Sequence, residues 1–223
     1  WSSADVCRVT PVAATDWKID FPTLGYLWDA WVSAHCTVPG GFTPGKHLTW
    51  SDWQFWAAAN YGRIKKRVKY DGEFLGSDAF HYSRALVVAP QKTGKGPWAA
   101  TMTLLHAVGP VEFAGWAKAG DSYRCADHGC PCGFVFQYQP GEPMGVPHPS
   151  PLIQLVAASE DQVSNTYDPV RSMAASNEDL QEQLQDRQGF IRIKKATGSK
   201  DSNRIDVVSS SARSRLGNPI TFA

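Results

Sequence analysis

A five-residue apolar run, Ala85-Leu86-Val87-Val88-Ala89, leads straight into Pro90-Gln91-Lys92-Thr93-Gly94-Lys95-Gly96, and Pro97 follows. No other stretch restricts the fold as much. An uninterrupted run this short reads as a strand buried on both faces, the kind found inside parallel sheets. Helical spacing then extends from Pro97 to Val108, and Gly109-Pro110 stops it. Strand, glycine-lysine loop and helix in that order compare with the phosphate-loop pattern G-x-x-x-x-G-K-[ST]. A polyphosphate needs several backbone N–H groups aimed inward, and Gly94 and Gly96 keep the tight point of the loop free of side chains. Lys95 supplies a cation for the β/γ-phosphates, and Pro97 suits the first turn of a helix whose positive end faces the anion. The candidate phosphate-contacting residues are Lys92, Thr93, Gly94, Lys95 and Gly96. Two positions depart from the pattern. Ala89 stands for the first glycine, and Gly96 stands for the Ser/Thr whose hydroxyl normally touches Mg²⁺. The metal would then rest on water and on a carboxylate from another segment. The plainer alternative is a Gly-Lys-rich surface turn, against which the flanking strand and helix weigh. Lys92 reads equally as a second phosphate cation or as a solvated loop charge.

The remaining pattern points to an α/β domain. With 223 residues the chain can bury a substantial core. A net charge of +1 gives no global electrostatic argument for nucleic acid, so a DNA contact would need a local patch. No apolar run is long enough to span a bilayer. Residues 1–47 show little periodicity and read as an extended, aromatic-rich N-terminal arm packed by Trp17, Phe21, Tyr26, Trp28 and Trp31, with a short helix over Trp28–Cys36. Ser51-Asp52-Trp53-Gln54 is a capping box that opens a helix running to about Tyr61. Residues 62–70 read as a strand with Ile64, Val68 and Tyr70 on one face, ended by the turn signal Asp71-Gly72. Between Val111 and Ser150 glycine, proline and cysteine dominate, which suggests an insertion outside the main sheet. Leu152–Ala158 is a second buried strand, and a second capping box at Ser159–Gln162 opens a helix to about Ala175. A polar helix over Asn177–Arg187, strands Phe190–Lys194 and Arg204–Ser209, and a final apolar run Pro219–Ala223 complete the reading. Strands alternating with helices favour a mainly parallel central sheet flanked by helices.

Several side chains admit two readings. Gln54 can close its capping box or hydrogen-bond a base edge. Trp53, Trp56 and Tyr61 can stack on a base, although aromatics at helical spacing more often belong to a core. Five cysteines are an odd number, and three crowd into Cys125–Cys132, which favours a metal site over a disulfide framework. Cys125, His128, Cys130 and Cys132 are the candidate Zn²⁺ ligands, with reduced cysteines in a surface hairpin as the alternative. The basic run Arg63–Lys69 can touch DNA phosphates or form a solvated face.

At this point the sequence resembles the ATPase domain of the large terminase subunit of HK97-type tailed bacteriophages and prophages. Leu86–Gly96 resembles that family's degenerate phosphate loop, and Leu48-Thr-Trp-Ser-Asp-Trp-Gln54 its adenine-reading segment. Leu152–Gln162 is similar to the strand-to-helix step after the first crossover, and Ser211–Gly217 to the approach to the Walker B strand. The resemblance implies a P-loop NTPase fold over residues 48–223, with 111–150 as an insertion, that binds ATP with Mg²⁺. It also implies that Arg213 or, better matched, Arg215 serves as a transition-state arginine acting on a neighbouring subunit; a solvated surface arginine is the alternative. The implied role is a homo-oligomeric ring that drives double-stranded DNA into a procapsid. Its expected partners are the portal and a small terminase subunit, in the host cytoplasm and away from membranes. The family's Asp-Glu pair and its C-terminal endonuclease are expected beyond Ala223, so the chain should bind nucleotide better than it hydrolyses it. The rival readings are another DNA-translocating or helicase-like P-loop ATPase, and a non-enzymatic zinc-containing interaction protein.

Overall fold

Apolar residues at positions 24, 27, 28, 31 and 32 mark one face of a helix, and that face is buried in the core rather than lying in an extended arm. The computed structural model describes residues 19–41, 43–73, 75–157, 159–194, 203–209 and 220–223. Helix α1 spans Gly25–His35, beginning three residues before the sequence reading placed it. Trp28 and Trp31 are each only 1% exposed. Helix α2, Asp52–Tyr61, crosses α1 closely at Gly25, where a Cβ would lie 2.6 Å from the Ala59 Cα. The Thr23 hydroxyl bonds the Ala59 carbonyl beside that contact. Helix α3, Lys95–Val108, starts at the lysine of the loop and buries Ala100–Leu105 and Ala107; Gly109 is its C-cap.

Residues 111–150 form two antiparallel ribbons. Strand β1, Glu112–Trp116, pairs with β4, Pro143–Val146. Strand β2, Ser122–Arg124, pairs with β3, Val135–Gln137. The main sheet is built later in the chain. It contains β5 (Leu152–Ala157), β6 (Leu184–Arg187), β7 (Phe190–Ile193) and β8 (Arg204–Ser209) in the order β5-β8-β7-β6. Helices α4, Glu160–Ala175, and α5, Glu178–Gln183, lie between β5 and β6 in sequence. Ser159 caps α4, its hydroxyl accepting from the Gln162 N–H at 3.4 Å. Asn177 caps α5 through its side-chain oxygen.

The central sheet is mixed rather than mainly parallel. Only β5 and β8 run parallel within it, joined by a single parallel bridge from Ile153 to Phe222. The polar helix expected over Asn177–Arg187 stops at Gln183, and Leu184–Arg187 forms a hairpin with β7 through Gln188-Gly189. Gly189 takes φ +86°, which permits a two-residue connection, and such a connection joins only antiparallel strands. Residues 62–70 do not form a strand. Arg63 and Ile64 make single bridges to Thr23 and Phe80, a turn follows at 66–67, and Tyr70 is 38% exposed.

Ala85–Ala89, expected as a strand buried on both faces, forms no described strand, with Leu86 89% and Val88 86% exposed. Apolarity alone cannot make a strand, which needs a neighbour's backbone to pair with. Among the described residues this run instead borders a cleft of about 810 Å³, lined also by Trp98, Met102, Gln154 and Phe222.

A smaller recess lies against α3. Glu112 shares it with Trp28, Tyr61, Phe80 and His106. Burial there pushes the Glu112 carboxyl up from 4.5 to about 7. With a folded pKa above the unfolded one, stability is fully present below pH 4.5 and is lost as pH rises through 7. Glu112→Gln should therefore match the parent at about pH 4 and exceed it by about 1–2 kcal/mol at about pH 8, after allowance for partial solvent screening. Urea unfolding of both proteins at the two pH values checks this. A difference that does not change with pH would refute it.

Candidate functional site

The glycine-lysine loop folds around its own lysine. Gly94 takes φ +86° as the N-cap of α3, a left-handed position that suits glycine. Lys92, two residues earlier, is also left-handed at φ +62°, the one non-glycine residue in that region among those described. The Thr93 hydroxyl donates to the Pro90 carbonyl at 2.8 Å. Lys95, the first residue of α3, turns its Nζ back to donate to the carbonyls of Ala89 and Pro90. An ammonium group is thus held at the mouth of a helix N-terminus whose first N–H groups lack intrahelical partners.

Gln54 reaches this loop from a different helix. Its Oε1 accepts from the Ser51 N–H at 2.9 Å, which is the return half of the capping box. Its Nε2 donates to the Gly94 carbonyl at 3.2 Å. One buried amide therefore ties the start of α2 to the start of α3, so the capping role and the loop contact coexist. Trp53 stands beside Trp98, with ring centroids 5.9 Å apart, and Trp56 is 38% exposed. Tyr61 packs against Trp28, His106 and Phe222 and lies half-buried against the core.

Gly96 has a packing reason as well as a loop reason. A Cβ there would lie 2.8 Å from the Asn165 carbonyl oxygen on α4, so the helix crossing leaves no room for the Ser/Thr of the usual pattern. The loop accordingly presents no hydroxyl to a metal at this position. The loop's one hydroxyl, on Thr93, donates to the Pro90 carbonyl.

The basic run is mostly solvated. Lys65, Lys66, Arg67 and Lys69 are exposed, and the Arg63 guanidinium sits over the Phe21 ring at 4.4 Å. Arg213 and Arg215 lie outside the described residues.

The cysteine cluster forms, but with a different histidine. Cys125 opens a short 3-10 turn after β2, and Gly129 at φ +81° brings the chain back to Cys130 and Cys132. The fourth donor is His35, the last residue of α1. The donor atoms of His35, Cys125, Cys130 and Cys132 all lie within 4.8 Å of one another, an arrangement that can hold a metal ion such as zinc. His128, the expected ligand, instead stacks on Tyr123 with centroids 5.0 Å apart. The 3-10 turn supplies the reason, because it carries His128 to the ring of Tyr123 while the cysteines face α1. Sequence reasoning missed His35 because it lies 90 residues from Cys125. Its place at the end of the apolar face of α1 was the available signal, since three clustered thiols call for a fourth donor.

No helix among the described residues is long and apolar enough to cross a membrane. No family model and no curated protein matches the chain. Its fold is similar to that of the large terminase of bacteriophage HK97, with a TM-score of 0.52 and 16% sequence identity. The likeness covers 87% of this chain and 29% of the HK97 protein, so the chain spans less than a third of that protein's length. At this level of identity the likeness is one of fold.

Proposed function

We propose that the chain is the ATP-binding motor module of a terminase-like DNA-packaging protein. The observation that carries this reading is the convergence of Lys95 and Gln54, from separate helices, on one loop in a terminase-like fold. In the proposed bound state Lys95 exchanges the carbonyls of Ala89 and Pro90 for β/γ-phosphate oxygens. The backbone around Gly94 and the N-terminus of α3 complete the anion site, with Lys92 and Thr93 at its rim. Gln54 either reads the adenine edge, releasing one of its two contacts, or reports the state of the loop to α2. Mg²⁺ would find no side-chain ligand at Gly96 and would rest on water and on a carboxylate from another segment.

In a packaging role the module would act in a ring on double-stranded DNA at the portal of a procapsid. A small subunit would assist, Arg215 would supply the arginine to a neighbour, and an endonuclease would belong to the same full-length protein.

Lys95→Ala tests the proposal. Losing a charge-assisted contact to phosphate should weaken binding of a fluorescent ATP analogue by about 10–100-fold. Gln54→Ala should weaken it less. Unchanged affinity in Lys95→Ala would end the phosphate-loop reading.

A further inference from the structure

We infer that His35, Cys125, Cys130 and Cys132 form a structural Zn²⁺ centre that staples helix α1 to the β2–β3 ribbon. This stands independently of nucleotide binding.

The distances fit a tetrahedron. With Zn–S near 2.3 Å and Zn–N near 2.0 Å, the edges of a tetrahedral site run from roughly 3.5 Å for N···S to roughly 3.8 Å for S···S. His35 Nε2 lies 3.1 Å from the Cys132 sulfur, 3.7 Å from that of Cys125 and 3.9 Å from that of Cys130. These values bracket the expected edge. Three soft sulfurs and one imidazole match zinc better than a hard cation, which prefers oxygen. Four protein donors also close the coordination sphere, the mark of a structural rather than a catalytic site.

The surroundings orient these donors. His35 Nδ1 lies 2.7 Å from the Trp31 carbonyl, so Nδ1 carries the proton and Nε2 presents its lone pair to the cluster. The Phe134 N–H donates to the Cys132 sulfur at 3.4 Å, and the Cys130 N–H to the Cys125 carbonyl at 3.1 Å. Trp31 stacks on the His35 ring at 4.4 Å, and Phe134 closes its edge at 5.5 Å. Cys125 and Cys130 are buried beneath this aromatic cover. The four cysteines described, including Cys36, are free rather than disulfide-bonded.

The centre links distant parts of the chain. His35 ends the helix that carries Trp28 and Trp31, and its carbonyl accepts from Asn177 Nδ2, at the cap of α5, at 2.9 Å. Metal at this point therefore fixes α1, the ribbon and the start of α5 together.

Metal analysis of the full chain purified with zinc should find about one Zn²⁺ per chain, the occupancy of a closed four-donor site. Co²⁺ exchanged into the protein should give the visible absorption of a tetrahedral thiolate site. His35→Ala should lower metal affinity by about 100-fold or more, while His35→Cys retains it. His128→Ala is the decisive control and should keep its zinc. If Cys130→Ser fails to fold, the Co²⁺ spectrum of the parent protein still decides the matter. Absence of metal and of the Co²⁺ bands in the parent would overturn the inference. So would equal zinc loss in His128→Ala and His35→Ala.

Discussion

Gly96→Ser, which would restore the hydroxyl of the usual phosphate-loop pattern, is expected to destabilise the protein by about 2–3 kcal/mol. The reason is geometric. A Cβ at this position would sit 2.8 Å from the Asn165 carbonyl oxygen, a backbone atom of α4 that cannot swing aside as a side chain would. Replacing glycine within a helix would by itself be favourable by about 0.5 kcal/mol, so the crossing reverses the sign that propensity suggests. Lys95 is the neighbouring residue, and any shift of the first turn of α3 also moves its ammonium group. Nucleotide affinity should therefore fall in Gly96→Ser rather than rise. Gly96→Ala shares the Cβ without the hydroxyl and should lose similar stability. Urea unfolding of the two variants, with nucleotide titration beside it, makes the test. A serine variant as stable as the parent would mean that α3 and α4 do not meet as described.

Trp28→Ala should cost more, about 4–5 kcal/mol. The ring is 1% exposed and lies between α1 and the chain around Gly62, where a Cβ would come within 2.8 Å of it. Its Nε1 donates to the Pro110 carbonyl at 2.9 Å, so truncation also leaves a buried acceptor unpaired. Domains are stable by only about 5–15 kcal/mol, so this loss should be visible as a sharply lowered unfolding midpoint and reduced soluble yield. Trp28→Phe refills part of the space but not the hydrogen bond and should fall between. Trp56, 38% exposed on α2, is the comparison residue, and its replacement by alanine should change stability far less. Equal losses at the two positions would contradict the packing of α1.

Local signals located much of this architecture. The cap of α2 at Ser51, the start of α4 at Ser159 and the stop at Gly109 are each written in a few adjacent residues. The loop from Pro90 to Gly96 was legible for the same reason. Its glycines and lysine act over one turn, and the structure places them at an α3 N-terminus with Gly94 left-handed. Contacts between distant segments were not legible. Leu184–Arg187 has a composition that tolerates a helix, and pairing with β7 makes it a strand. Ala85–Ala89 has the composition of a buried strand but meets no partner strand among the described residues. His128 lay between the cysteines in sequence, whereas His35 lies among them in space. Gln54 could be assigned to its capping box from four consecutive residues, but its bond to Gly94 spans 40 positions. Caps, turns and periodic faces depend on neighbours within a turn or two, so the order of residues carries them. Strand pairing, the crossing at Gly96 and the fourth donor of the cluster depend on which remote backbones approach one another, and only the folded chain brings them together.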